Sequence, residues 1–146
     1  MEPGFKFRLE KVLDLKIKKE NEHMISHSKI INEKILIEKD IENLELQYET
    51  YSELQHTEED SFKRKVAYNY MNSIFQTIQI KKDLLQVIEQ RYKESLSVLL
   101  VLQSERKALE SLKEKQYQKF LEELELEEEI LNDEFSTQAY FRSLQN

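Results

Sequence analysis

The sequence has no cysteine, a single proline and a single glycine. Without cysteine there are no disulfides, no thiolate metal ligands and no cysteine nucleophile, which fits a reducing compartment. With one glycine there is no glycine-rich phosphate loop and no G-x-S-x-G elbow. The proline and the glycine adjoin as Pro3-Gly4, and from Phe5 onward nothing punctuates a helix strongly. Long apolar runs are missing as well. The longest is "VLLVL", Val98 to Leu102, far short of the ~20 residues of a membrane span. The opening "MEPGFKFRLEKVLDLKIKKE" alternates charge with apolar residues, unlike a secretory signal. A soluble, cytoplasmic chain with no integral membrane segment is expected.

What is present is charge and helix formers. Asp, Glu, Lys and Arg make up 35% of the chain, above the roughly one quarter of an average globular domain. Glu, Lys, Leu and Gln, which form helices readily, are abundant. The net charge is −7, which argues against nucleic acid as a partner. Charge is also segregated. Lys6 to Lys19 is net basic, whereas "LEELELEEEILNDE", Leu121 to Glu134, carries acids only; such blocks are either solvated helix faces or interaction surfaces.

Apolar spacing gives the helix count. Ile30, Ile37, Leu44 and Tyr51 recur every seven residues, with Ile41 and Tyr48 between them, an a/d seam in which Lys34 occupies one position. Leu9, Val12, Leu13, Ile17, Met24 and Ile31 form a broader stripe before it. In the second half Ile74, Ile78, Leu85, Ile88, Tyr92, Leu99, Leu102 and Leu109 keep the rhythm, interrupted by Lys81, Ser95 and Arg106. Tyr117, Leu124 and Leu131 step by seven again.

The turn falls in "LQHTEEDSFKRK", at about 56–61, with Thr57 or Ser61 as the competing helix cap. The fold class is therefore all-α, a long antiparallel two-helix coiled-coil hairpin over 1–146. Helix 1 is expected at about 5–55 and helix 2 at about 62–143. These lengths, roughly 75 Å and 120 Å, are unequal. Leu9 should pair near residue 107, and everything past about residue 112 should overhang the first helix. An overhang with an exposed apolar stripe calls for a partner or for self-association.

Reactive constellations are missing. His23 and His27 stand at i, i+4 with Glu20 before them, but without an H-E-x-x-H pattern they read as seam residues, so no metal and no cofactor are expected. The glutamates read as solvent-facing because a hairpin offers no pocket. No catalytic residue and no enzyme activity are expected. Tyr48, Tyr51, Tyr68, Tyr70, Met71, Phe75 and Ile78 crowd the two sides of the turn. They are too many to all face inward, and Tyr and Met are favoured at interfaces.

Two stretches carry a family resemblance. "FKFRLEKVLDLKIKKE" holds the spacing F-x-L-x-x-V-L at Phe7, Leu9, Val12 and Leu13. "ERKALESLKEKQYQKFLEELELEEEILNDEFSTQAYFR" holds an R-K-x-x-E-x-L run followed by lysine at Arg106, Lys107, Glu110, Leu112 and Lys113, then an acidic helix ending in Asp133, Glu134 and Arg142. Together they resemble the flagellar export protein FliJ family across nearly the whole chain. The acidic block at Leu121 to Glu134 departs from the basic members of that family.

The resemblance implies a non-enzymatic component of the flagellar type III export apparatus, similar to the central stalk of rotary ATPases. It implies three partners: the flagellar export ATPase hexamer, the cytoplasmic domain of the export gate protein FlhA, and export chaperones. It further implies a cytoplasmic place at the flagellar base, peripheral to the cell membrane. On that footing Phe7, Leu9, Arg106, Lys107, Leu112, Lys113 and Phe120 are expected to bind the ATPase ring. Tyr48, Tyr51, Met71, Phe75 and Ile78 are expected to bind the gate. A generic coiled-coil scaffold, or the equivalent stalk of a virulence type III secretion system, are the alternative readings.

Overall fold

The computed structural model describes all residues from Met1 to Asn146. It consists of two helices, α1 (Glu10–Thr57, 48 residues) and α2 (Ser61–Gln145, 85 residues), with no strand. They pack against each other as the expected antiparallel hairpin. The turn is only Glu58 to Asp60, narrower than the expected 56–61.

Capping explains the turn. Asp60 Oδ1 accepts from the Phe62 backbone N–H at 2.9 Å, and the Asp60 carbonyl accepts from Arg64 N–H at 3.0 Å. Asp60 is thus the N-cap of α2, in place of Thr57 or Ser61. Thr57 is still the last residue of α1, its hydroxyl donating to the Glu53 carbonyl at 2.9 Å, and it lies too far before Ser61 to occupy the cap position of α2.

The chain forms two compact units, Glu20–Val101 and Met1–Lys19 with Leu102–Asn146. In Glu20–Val101 the seam holds Ile37, Ile41 and Ile88 at its centre, with Ile30 and Leu85 packed on them. Met71, Ile74 and Ile78 are buried nearer the turn. Lys34, the charged residue in the expected seam, lies 5.1 Å from the centre of the Tyr92 ring and 3.9 Å from Glu38. Its ammonium gains a cation–π contact while its stem covers the seam. Lys81 pairs with Asp40 at 3.3 Å across the two helices. Partly exposed pairs of this kind set alignment and contribute well under about 1 kcal/mol.

In the other unit Leu13 and Phe7 are buried, and Glu10 pairs with Lys113 at 2.8 Å. The register therefore runs further along α2 than the expected pairing of Leu9 near residue 107, because the helices do not fold symmetrically about the turn. Val12, expected on the inner stripe, is exposed, as is Met24 in Glu20–Val101. That stripe is too broad for one narrow seam, and a two-helix contact covers only part of it.

The first helix does not begin at Phe5. Residues Glu2 to Phe5 make a turn closed by the Phe5 N–H on the Glu2 carbonyl at 3.3 Å, with Gly4 at φ 93°. Proline then glycine in the two central positions is the type II pattern, and only glycine takes that positive φ without strain. The turn seats Phe5 against α2, 5.2 Å from the Tyr117 ring and 5.5 Å from the Phe120 ring. Residues 1–9 thus cover α2 beyond the start of α1. Tyr117, Phe120, Leu121 and Leu124 are half-buried, and every residue from Glu125 to Asn146 is exposed. The uncovered stretch begins near 125, not near 112.

Candidate partner-binding surfaces

The residues expected to bind an ATPase ring all fall in the unit formed by Met1–Lys19 and Leu102–Asn146. Their roles there differ. Phe7 is buried, and Leu9, Lys113 and Phe120 are half-buried, so these four hold the unit together. Arg106 bonds Glu110 one turn on, at 2.9 Å. Lys107 and Leu112 are exposed, and they are the members of the set that present surface. Lys6, Arg8 and Lys11, also exposed, line an open groove with Phe5 and Phe7. Phe5 and Tyr117 were not in the expected set. Their signal was the Pro3-Gly4 pair, which turns the chain back onto α2.

The second expected set lies in Glu20–Val101. Tyr48 stands 6.3 Å from Phe75 and Tyr51 4.9 Å from Tyr70, ring centre to ring centre. Phe75 and Tyr70 are half exposed, and Tyr48 and Tyr51 are partly covered. Met71 and Ile78 are buried and offer no surface, since their helix positions face α1. Tyr70, outside the expected set, takes the place of Met71 in the exposed aromatic patch. Leu46, Leu54, Tyr51 and Tyr70 line a shallow groove there.

His23 and His27 meet Ser95. His23 Nε2 is 2.8 Å from the Ser95 carbonyl, and His27 Nδ1 is 2.8 Å from the Ser95 hydroxyl. A carbonyl only accepts, so His23 carries a proton on Nε2 and donates it to Ser95, whose hydroxyl lies 3.2 Å from that nitrogen and bonds His27 Nδ1. His27 also stacks on Tyr92 at 5.0 Å. Both imidazoles thus bond Ser95 on the facing helix, as seam residues do. No cluster of three or more His, Asp or Glu side chains is arranged to hold a metal ion.

The chain is therefore a helical hairpin with open grooves and exposed apolar patches. The sequence model of the flagellar FliJ protein matches residues 5–145, and the chain belongs to that family. No curated protein and no solved structure matches it. Membership makes it a component related to flagellar export, a family that is in general non-enzymatic. No helix is long and apolar enough to cross a membrane.

Proposed function

We propose that the chain is the central stalk of the flagellar export ATPase, binding and promoting the hexamer and linking it to the FlhA export gate and to export chaperones. It works at the cytoplasmic face of the cell membrane at the flagellar base, as a peripheral component. The observation that carries this reading is the outrun of α2. Residues 1–9 pack on α2 at Tyr117 and Phe120, partial burial ends at Leu124, and beyond that a single exposed helix continues to Gln145. A packed end followed by a bare helix suits a stalk whose tip is enclosed by a partner. Lys107, with Arg106 beside it, supplies donors for acidic groups on that partner.

Titration into the cognate export ATPase tests this. Hydrolysis and hexamer assembly should both rise and saturate near one chain per hexamer; absence of binding by the folded chain would sink the stalk reading. Leu112→Asp is the cleaner site variant, because Leu112 is exposed whereas Phe120 packs on Phe5. Leu112→Asp should weaken ATPase binding about tenfold with helicity unchanged, and binding equal to the parent chain would remove this face from the interface.

The aromatic patch near the turn is the proposed gate-binding face, now centred on Phe75 with Tyr48, Tyr51 and Tyr70. Tyr51→Ala with Phe75→Ala should lower affinity for the FlhA cytoplasmic domain, measured by calorimetry, and spare ATPase binding. Equal loss of both would assign the effect to stability.

A further inference from the structure

The exposed end of α2 carries an apolar face that nothing in the chain covers. At about 100° per residue, Leu126, Ile130, Phe141 and Leu144 fall on one side of the helix. They are 57%, 51%, 60% and 64% exposed, respectively. Asp133 lies on the same side, in a groove with Ile130, Thr137 and Phe141. Traced back along the helix, this side continues through Lys119, Lys115 and Leu112, all exposed. It is opposite the side of Tyr117 and Leu124 that meets the N-terminal segment, so it is free even where α2 is covered.

Charge along this face is split in two. Lys115 and Lys119 come first, and the acids of Glu122 to Glu134 follow. No carboxylate pairs with Lys115 or Lys119, and Glu129 and Asp133 have no cationic partner. The helix itself prevents them from meeting, since Lys119 and Asp133 are held about 20 Å apart along it. A face whose basic half precedes its acidic half complements itself when inverted. That is the requirement of a two-fold interface, in which one patch serves both copies.

We propose that the occupant of this face is a second copy of the chain, with the two α2 ends antiparallel about an axis near Leu124. In that arrangement Lys119 of each copy comes beside Ile130 of the other and within one turn of its Glu129 and Asp133. Lys115 comes level with Asp133. Leu112 comes close to Thr137 of the other copy, and Leu126 packs near the axis. Polar residues at such positions fix the orientation and lower the stability, so the dimer is weak and salt-sensitive.

Sedimentation velocity over the micromolar range, at low and high salt, tests the proposal without the ATPase. A concentration-dependent dimer that dissociates as salt rises is expected. Lys115→Glu with Lys119→Glu, and separately Glu129→Lys with Asp133→Lys, should each weaken self-association about tenfold or more. An equimolar mixture of the two variants should recover it, because inverted charges meet again in the mixed dimer. Ile130→Ser, which changes no charge, should weaken it as well. A chain that stays monomeric throughout, a charge variant that dimerises like the parent, or a mixture that fails to recover would each overturn the proposal. The stalk reading is decided separately, by ATPase titration; because Leu112 and the outrun of α2 belong to both faces, the ATPase should compete with self-association.

Discussion

Replacing Phe5 and Phe7 together by alanine should release the N-terminal segment from α2. Phe7 is 7% exposed and Phe5 packs on two aromatic rings. Truncating a buried phenylalanine costs about 3–5 kcal/mol where the core cannot collapse. In this shallow seam a loss of about 3 kcal/mol is expected for the pair. Hydrogen exchange reads the effect by position. Amides from Leu109 to Leu124 should lose protection, and those around Ile37, Ile41 and Ile88 should keep theirs, as expected for opening of one local unit. Unchanged protection at Leu109 to Leu124 would mean that residues 1–9 do not hold that part of α2.

The Ser95 contact should behave in the opposite way to an apolar core. Ser95→Val removes the partner of a His27 ring that is 7% exposed. A buried polar atom left without a partner costs about 1–3 kcal/mol. His27→Leu alone leaves the serine hydroxyl with only its longer, 3.2 Å contact to His23 Nε2, at a smaller cost. Made together, the two changes replace a polar contact by an apolar one, which is near neutral where the seam accommodates the added methyl groups. Urea unfolding followed by circular dichroism should therefore give a double variant close to the parent and a coupling energy of about 2 kcal/mol or more. Simple additivity would show that the two residues do not act as a pair. The contact also selects register. A slip of α2 by one heptad brings Ile88 or Leu102 opposite His27 and leaves the imidazole without a partner.

Much of this hairpin could be read in the sequence, and particular residues show why. Ile30, Ile37 and Leu44 at seven-residue spacing, answered by Ile74, Ile78, Leu85 and Ile88, specify a two-helix seam because few other arrangements bury that rhythm. Lys34 and Ser95 looked like interruptions of it. Their compensation lies on the facing helix or one turn away, in Tyr92, Glu38 and His27, and pairwise partners cannot be read without the register. Phe5 to Arg8 reads as helix by composition alone, yet α1 starts at Glu10, because the turn at Pro3-Gly4 is a local signal with a tertiary consequence.

The candidate surfaces were legible only as regions. Tyr48, Tyr51, Met71, Phe75 and Ile78 cluster in sequence, but which of them face out depends on helix phase. Met71 and Ile78 turn in while Tyr70 and Phe75 turn out. On the other unit, Phe7, Leu9 and Lys113 match the family pattern. In the structure they pack α2 against the N-terminal residues rather than face solvent, so a family motif marks structural as well as binding positions.

No side chain in the chain falls below 2% exposure, and the accessible surface is 11665 Å². A compact monomer of this mass, 17.7 kDa, would expose about 8000 Å². Unfolding therefore hydrates less new surface than is usual for a chain of this length. Both the heat-capacity increment and the denaturant slope scale with that newly hydrated area. The consequence is a flat stability curve and a broad transition. Modest shifts in temperature or solvent change the folded population gradually, and a bound partner adds stability over a wide range of conditions.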